Sequence, residues 1–136
     1  MSTSLSQLLP SYSCVIIDDD ATALEVLKNY INRLPELQLF GSYQDASVAL
    51  DEMSDIRMDF LFLDIRMPVS GIDFARKIRD KVDYIIFITA YTDYALDAFS
   101  VHADHYMIKP LYFDDFLTAI NRVLSKDGHY QIAARG

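Results

Sequence analysis

Four chemically capable signals each close an apolar run. Asp18, Asp19 and Asp20 follow Cys14-Val15-Ile16-Ile17, and Asp64 follows Phe60-Leu61-Phe62-Leu63. Thr89 follows Ile85-Ile86-Phe87-Ile88, and Lys109 follows Tyr106-Met107-Ile108. Clustered carboxylates suit a hard divalent cation such as magnesium, which keeps several waters and needs few protein ligands. A hydroxyl and an ammonium beside that ion can hold the oxygens of a phosphoryl group. The four signals converge only if the runs are parallel strands of one sheet, since open α/β sheets gather ligands at the carboxyl edge.

The elements needed to position them are legible. Strands are expected over 13–17, 37–43, 59–64, 84–89 and 104–108. Four of these are continuous apolar runs, as in a parallel sheet covered by helices on both faces. Between them Leu24, Leu27, Ile31 and Leu34 recur at steps of three and four, the buried stripe of a first helix. Ala46, Ala49, Leu50 and Met53 form a second stripe, and Phe113, Phe116, Leu117, Ile120 and Val123 form the last. Shorter helices are expected near 71–80 and 93–101, and Pro35 is expected to end the first. Five strand–helix units call for an α/β, doubly wound five-stranded parallel sheet of order 2-1-3-4-5, a flavodoxin-like three-layer sandwich. Its switch point lies between the first and third strands, where the acidic triplet meets Asp64.

Composition narrows the class of function. Asp and Glu number 20 against 12 Lys and Arg, a formal net charge of -8 with no basic cluster, so DNA binding by this chain is not expected. The single cysteine, Cys14, sits in an apolar run and reads as a buried inert thiol. No apolar stretch approaches the roughly 20 residues that span a bilayer, and the first residues lack the pattern of a signal peptide. A cytoplasmic location without membrane attachment is the default expectation.

Taken singly, each signal has an ordinary explanation. The acidic triplet caps a helix, Asp64 forms a turn, Thr89 is a β-branched strand residue and Lys109 is solvated. Taken together, they support a cation site at which Asp64 ligates with one oxygen and attacks phosphorus with the other. Carboxylate attack of this kind gives an aspartyl phosphate. His102, His105 and His129 lack metal spacing, and His105 is expected to be an ordinary strand histidine.

The joint occurrence of Ile17-Asp18-Asp19, Leu63-Asp64-Ile65-Arg66-Met67-Pro68, Thr89-Ala90 and Tyr106-Met107-Ile108-Lys109-Pro110 resembles the receiver domains of two-component response regulators. The likeness runs from about Ser13 to Val123. The stretch 88–99 is further similar to receivers of LytTR-type transcriptional regulators. The resemblance implies a phosphorylation switch rather than a turnover enzyme, with a histidine kinase passing a phosphoryl group to Asp64 in the presence of magnesium. It implies Asp19, Asp64 and the backbone carbonyl of Arg66 as direct metal ligands, with Asp18 acting mostly through water. Thr89 and Lys109 would bind phosphoryl oxygens, and small Ala90 would leave Thr89 room to move. Tyr106 would report the shift, and a cis Lys109–Pro110 bond would aim the ammonium inward. The readout face would comprise the fourth helix, last strand and last helix, where a homodimer could form.

Division of the chain into an extension over 1–12, a receiver domain over 13–126 and a tail or linker over 127–136 follows from that likeness. LytTR-type relatives carry a DNA-binding domain after the receiver, so a fragment of a longer regulator is expected ahead of a stand-alone receiver, with DNA reached only through a domain absent here. Three departures stand out. Asp20 replaces a common Glu, and Gly71 follows Pro68 one residue sooner than usual, which implies a tight loop. Arg66 and Tyr91 fill two variable positions near the site, with slow self-dephosphorylation as the expectation. A magnesium phosphatase or phosphotransferase of the Asp-x-Asp type is the alternative, but Arg66 stands where its general acid is required. A flavin carrier on the same fold would want a neutral phosphate loop where this chain puts three acids.

Overall fold

The computed structural model describes residues 10–129 and 131–133. Five parallel strands form one sheet in the order β2-β1-β3-β4-β5. These are β1 (Tyr12–Ile17), β2 (Leu37–Tyr43), β3 (Met58–Leu63), β4 (Val82–Thr89) and β5 (His105–Ile108). The helices are α1 (Ala21–Asn32), α2 (Ala46–Met53), α3 (Gly71–Ile78), α4 (Ala95–Ser100) and α5 (Phe113–Lys126). The doubly wound sheet of order 2-1-3-4-5 expected from the sequence is the fold observed.

Alternation along the strands builds two cores. Val15, Ile17, Leu61, Leu63, Ile85 and Phe87 face α2, α3 and α4 on one side. Cys14, Ile16, Phe60, Phe62, Ile86 and Ile88 face α1 and α5 on the other. Both faces of the central strands are thus apolar, which explains why their sequences read as unbroken hydrophobic runs.

The helices depart from expectation in detail. α1 ends at Asn32, so Leu34 lies beyond it, although it is still buried. The residue before a proline is pushed out of helical geometry, and Leu34 keeps its burial as part of the turn into β2. α4 is shorter than expected, and α3 runs into a 3₁₀ turn over Arg79–Lys81. Ala119 and Leu124 complete the buried stripe of α5, on which Phe113 and Leu117 are only half-buried.

Backbone pairing carries the ladder past the strand ends. The amide of Asp18 donates to the Tyr43 carbonyl at 3.0 Å, and that of Asp64 to the Ile17 carbonyl at 3.1 Å. The Lys109 amide donates to the Thr89 carbonyl at 2.8 Å. Each signal residue is therefore fixed to its neighbour by main chain. At the opposite end, the core continues beyond α5. Gly128, at φ 73, turns the chain back, and Ile132 is 3% exposed within the α1–α5 core. Asn121 fixes it on both sides, donating to the Ile132 carbonyl at 2.8 Å and accepting its amide at 2.6 Å. Residues 1–9, most of the expected extension, and residues 130 and 134–136 of the expected tail lie outside the described residues.

Ile132→Ala is expected to lower stability by about 2–5 kcal/mol in urea unfolding, as for a buried aliphatic residue. A change within about 0.5 kcal/mol, typical of a surface site, would show that this segment is not part of the core.

Candidate functional site

At the switch point between β1 and β3, carboxylate oxygens of Asp18, Asp19 and Asp64 lie within 4.8 Å of one another. Asp18 is 2% exposed, whereas Asp19 faces solvent. The ammonium of Lys109 reaches across from the end of β5, 2.7 Å from Asp18 Oδ2 and 3.2 Å from Asp64 Oδ2. The Lys109–Pro110 peptide bond is cis. Three carboxylates against one ammonium leave two formal negative charges uncompensated, the charge of one divalent cation.

The electrostatics follow from crowding. Burial pushes the Asp18 carboxyl above its usual range, against the opposing pull of Lys109 and of the Asp20 amide. Burial alone would pull the Lys109 ammonium down, but the Asp18 and Asp64 carboxylates outweigh it and leave the group above its ordinary value. The remaining oxygens are partly used. Asp18 Oδ1 accepts the Asp20 amide at 2.9 Å, and Asp64 Oδ1 accepts the Ile65 amide at 2.7 Å.

Asp20 belongs to the helix. Its Oδ1 accepts the Thr22 amide at 3.0 Å, capping α1. The acidic triplet thus divides its labour, with two members at the cluster and one at the cap.

Thr89 is fully buried, and its hydroxyl has no hydrogen-bond partner. An unsatisfied buried hydroxyl costs roughly 1–3 kcal/mol. Thr89 ends β4, the strand between those that lead to Asp64 and Lys109, and its carbonyl accepts the Lys109 amide. The donor set also fits magnesium, being all oxygen, anionic and close, with room left for water.

Around this centre lies an aromatic rim. The Tyr106 hydroxyl donates to the Tyr91 carbonyl in a short hydrogen bond, and its ring packs 6.4 Å from that of Phe87. Burial raises the Tyr106 hydroxyl above its ordinary pKa. The Arg66 guanidinium sits over the Tyr91 ring, 4.3 Å from its centroid. Two residues escaped sequence reasoning: Tyr94, edge-on to Tyr91, and Gln44, whose amide donates to the Asp19 carbonyl at 3.2 Å. Neither carries a signal in the sequence, where one is an aromatic and the other a polar turn residue. His105 is half-buried, with its pKa lowered by burial and then by Arg122 and Lys126 of α5.

The loop after Asp64 is tight. The Gly71 amide donates to the Ile65 carbonyl at 2.8 Å, and α3 begins there. A Cβ on Gly71 would stand 2.0 Å from the Asp64 carbonyl oxygen and 2.8 Å from Ile65 Cα. Only glycine permits that approach.

Known proteins place this arrangement. Residues 14–121 match the response regulator receiver domain, and the chain belongs to that family. An uncharacterised response regulatory protein of Vibrio cholerae is 38% identical over 109 residues, 74% of this chain and 40% of that protein. The sensory transduction protein LytT of Enterococcus faecalis is 35% identical over 116 residues, 83% of this chain and 48% of the relative. The chain therefore spans about half or less of the length of these relatives. Among solved structures, the response regulatory domain of mrkE from Klebsiella pneumoniae superposes with a TM-score of 0.76 at 26% identity, covering 84% and 96% of the two chains. The family match and LytT-type relatives are consistent with a LytTR-type regulator. Receiver domains generally act as phosphoacceptor switches served by histidine kinases and bind magnesium through an acidic pocket. No helix among the described residues is long and apolar enough to cross a membrane.

Gly71→Ala is expected to force the Asp64 loop outward, lowering stability by about 1–3 kcal/mol. It should also weaken magnesium binding measured by calorimetry. Unchanged affinity and stability would mean that the loop relaxes without moving Asp64.

Proposed function

We propose that this chain accepts a phosphoryl group on Asp64 from a histidine kinase, and that the modification switches the face formed by α4, β5 and α5. The carrying observation is the unpartnered, fully buried Thr89 hydroxyl at the end of β4, the strand between those that lead to Asp64 and Lys109, whose ion pair spans 3.2 Å. Asp19, Asp64 and the Arg66 backbone carbonyl would hold magnesium, with Asp18 acting mostly through water. The ion supplies charge neutralisation and orientation of phosphoryl oxygens when bound. Lys109 gives a point charge to the transferred group, and Thr89 donates the hydrogen bond its burial now denies it. Tyr106, through the Tyr91 carbonyl, links that event to β5.

The readout face is open. Leu96 and Phe99 of α4 are 86% and 81% exposed, and Ile108 and Tyr112 add to an apolar surface. Such a patch supports a protein interface, read here as a phosphorylation-dependent homodimer. A role in transcription through a DNA-binding segment is part of the proposal, supported by LytT and by the transcriptional regulatory protein BtsR of Escherichia coli, which is 33% identical over 99 residues. The phosphatase alternative gains nothing from the structure, since Arg66 faces an aromatic ring where an acid would be needed.

Intact mass after incubation with magnesium and acetyl phosphate tests the acceptor. Wild type should gain one phosphoryl group, and neither Asp64→Asn nor an EDTA-treated sample should gain any. Addition to the Asn variant would move the acceptor elsewhere. Sedimentation with beryllofluoride, a phosphoryl mimic, should show dimer formation that Phe99→Ser abolishes. A monomer under both conditions would remove the dimer reading.

A further inference from the structure

Lys109 stands on a loop with little beneath it. Its amide is tied to the Thr89 carbonyl, and the chain then crosses Pro110, Leu111 and Tyr112 before α5 begins. Between that loop and α1 lies a cavity of about 450 Å³, lined by Ala23, Val26 and Leu27 on one side and by Lys109, Pro110 and Leu111 on the other. The two walls leave that space unfilled.

One bond crosses from helix to loop. The Tyr30 hydroxyl of α1 donates to the Leu111 carbonyl at 2.8 Å, joining residues 81 apart in the sequence. Proline has no amide to donate. Among the described residues this is the one hydrogen bond made by Pro110 or Leu111. The Tyr30 ring is itself fixed on α5, edge-on to Phe113 at 5.5 Å and tilted against Phe116 at 5.8 Å.

We propose that Tyr30 is a positioning residue for the phosphoryl site: its hydroxyl holds Leu111 so that Lys109, two residues earlier, keeps its ammonium between Asp18 and Asp64. The inference rests on the reading of Asp64 as the acceptor and Lys109 as its phosphoryl contact. A lysine side chain is long and flexible, so a fixed backbone is what concentrates the ammonium 2.7 Å from Asp18 and 3.2 Å from Asp64. With the loop released, the competent placement becomes a fraction of the population, and apparent phosphoryl affinity falls by that fraction. One hydroxyl–carbonyl hydrogen bond limits the loss to roughly two- to tenfold.

A cation responds in the other direction. Lys109 and magnesium are drawn to the same carboxylates and repel each other there. An ammonium held less firmly leaves magnesium affinity at or above its original value. Tyr30 thus acts from a helix that gives no carboxylate of its own to the cluster.

Calorimetry with magnesium alone, and with beryllofluoride in saturating magnesium, reads the two effects separately. Tyr30→Phe removes the hydroxyl and keeps the ring. It should bind beryllofluoride roughly two- to tenfold more weakly, with magnesium affinity no lower than wild type. Lys109→Met should lose about tenfold or more for the mimic, and adding Tyr30→Phe to it should cause no further loss. Thermal melts verify folding of each variant. A loss of magnesium affinity that matches the loss for the mimic, or a further loss in the double variant, would overturn the proposal. Where Lys109→Met leaves no measurable mimic binding, the contrast between magnesium and mimic in Tyr30→Phe decides alone. If wild type binds magnesium but no beryllofluoride, the acceptor reading fails and takes this inference with it. If wild type binds the mimic and folded Tyr30→Phe matches it, the role of Tyr30 alone fails.

Discussion

Everything at this site depends on forcing like charges together. Carboxylates of Asp18, Asp19 and Asp64 would separate if free to do so, and one ammonium is too little to neutralise them. What holds them is the hydrophobic burial of β1 and β3, whose fully buried residues flank the switch point on both faces. The ladder bonds from Asp18 to Tyr43 and from Asp64 to Ile17 transmit that rigidity to the charged ends. Burial raises the Asp18 carboxyl, and the Asp18 and Asp64 carboxylates raise the Lys109 ammonium against its own burial. The sheet is therefore the source of the chemistry as well as its support.

A site held this way is incomplete by design of its contacts. The Thr89 hydroxyl stays unpaired at a cost of roughly 1–3 kcal/mol, which the proposed phosphoryl contact would recover. Moving a two-state population from 1:99 to 99:1 needs about 5.5 kcal/mol of differential interaction. On the proposed reading, new contacts from Thr89 and Lys109 supply about one to three kcal/mol each, and the bound cation adds to them. No single contact suffices, so the proposed switch draws on residues from several strand ends.

Much of this was legible because the determining residues sit at fixed offsets from apolar runs. Asp64, Thr89 and Lys109 each end a strand, and strand order alone brings the first two within reach of the third. The tight loop was readable from the early Gly71, at which a Cβ would stand 2.0 Å from the Asp64 carbonyl oxygen. Other features were hidden. Gln44 acts through its amide on a backbone oxygen, an interaction with no spacing rule. Ile132 sits in a polar stretch beyond the last helix, and only Asn121, eleven residues back, shows why it is buried. The end of α1 misled because Leu34 continues the helical period without being helical. Periodicity reports burial, and burial outlasts the helix.

Rigidity at one end of the sheet contrasts with the face that would carry the signal. α4 is six residues long and buries only Ala98, with Val101 anchoring its exit. A helix with so few apolar contacts and two large hydrophobic side chains in solvent is the part of the fold cheapest to displace. The Tyr106–Tyr91 hydrogen bond lies between that helix and the site, joining β5 to the loop that leads into α4. The proposed shift of Thr89 would therefore meet little resistance on the α4 side and much on the β1–β3 side. On the proposed reading the direction of motion is set by where the core is thin, and the thin side is the one that exposes Leu96 and Phe99.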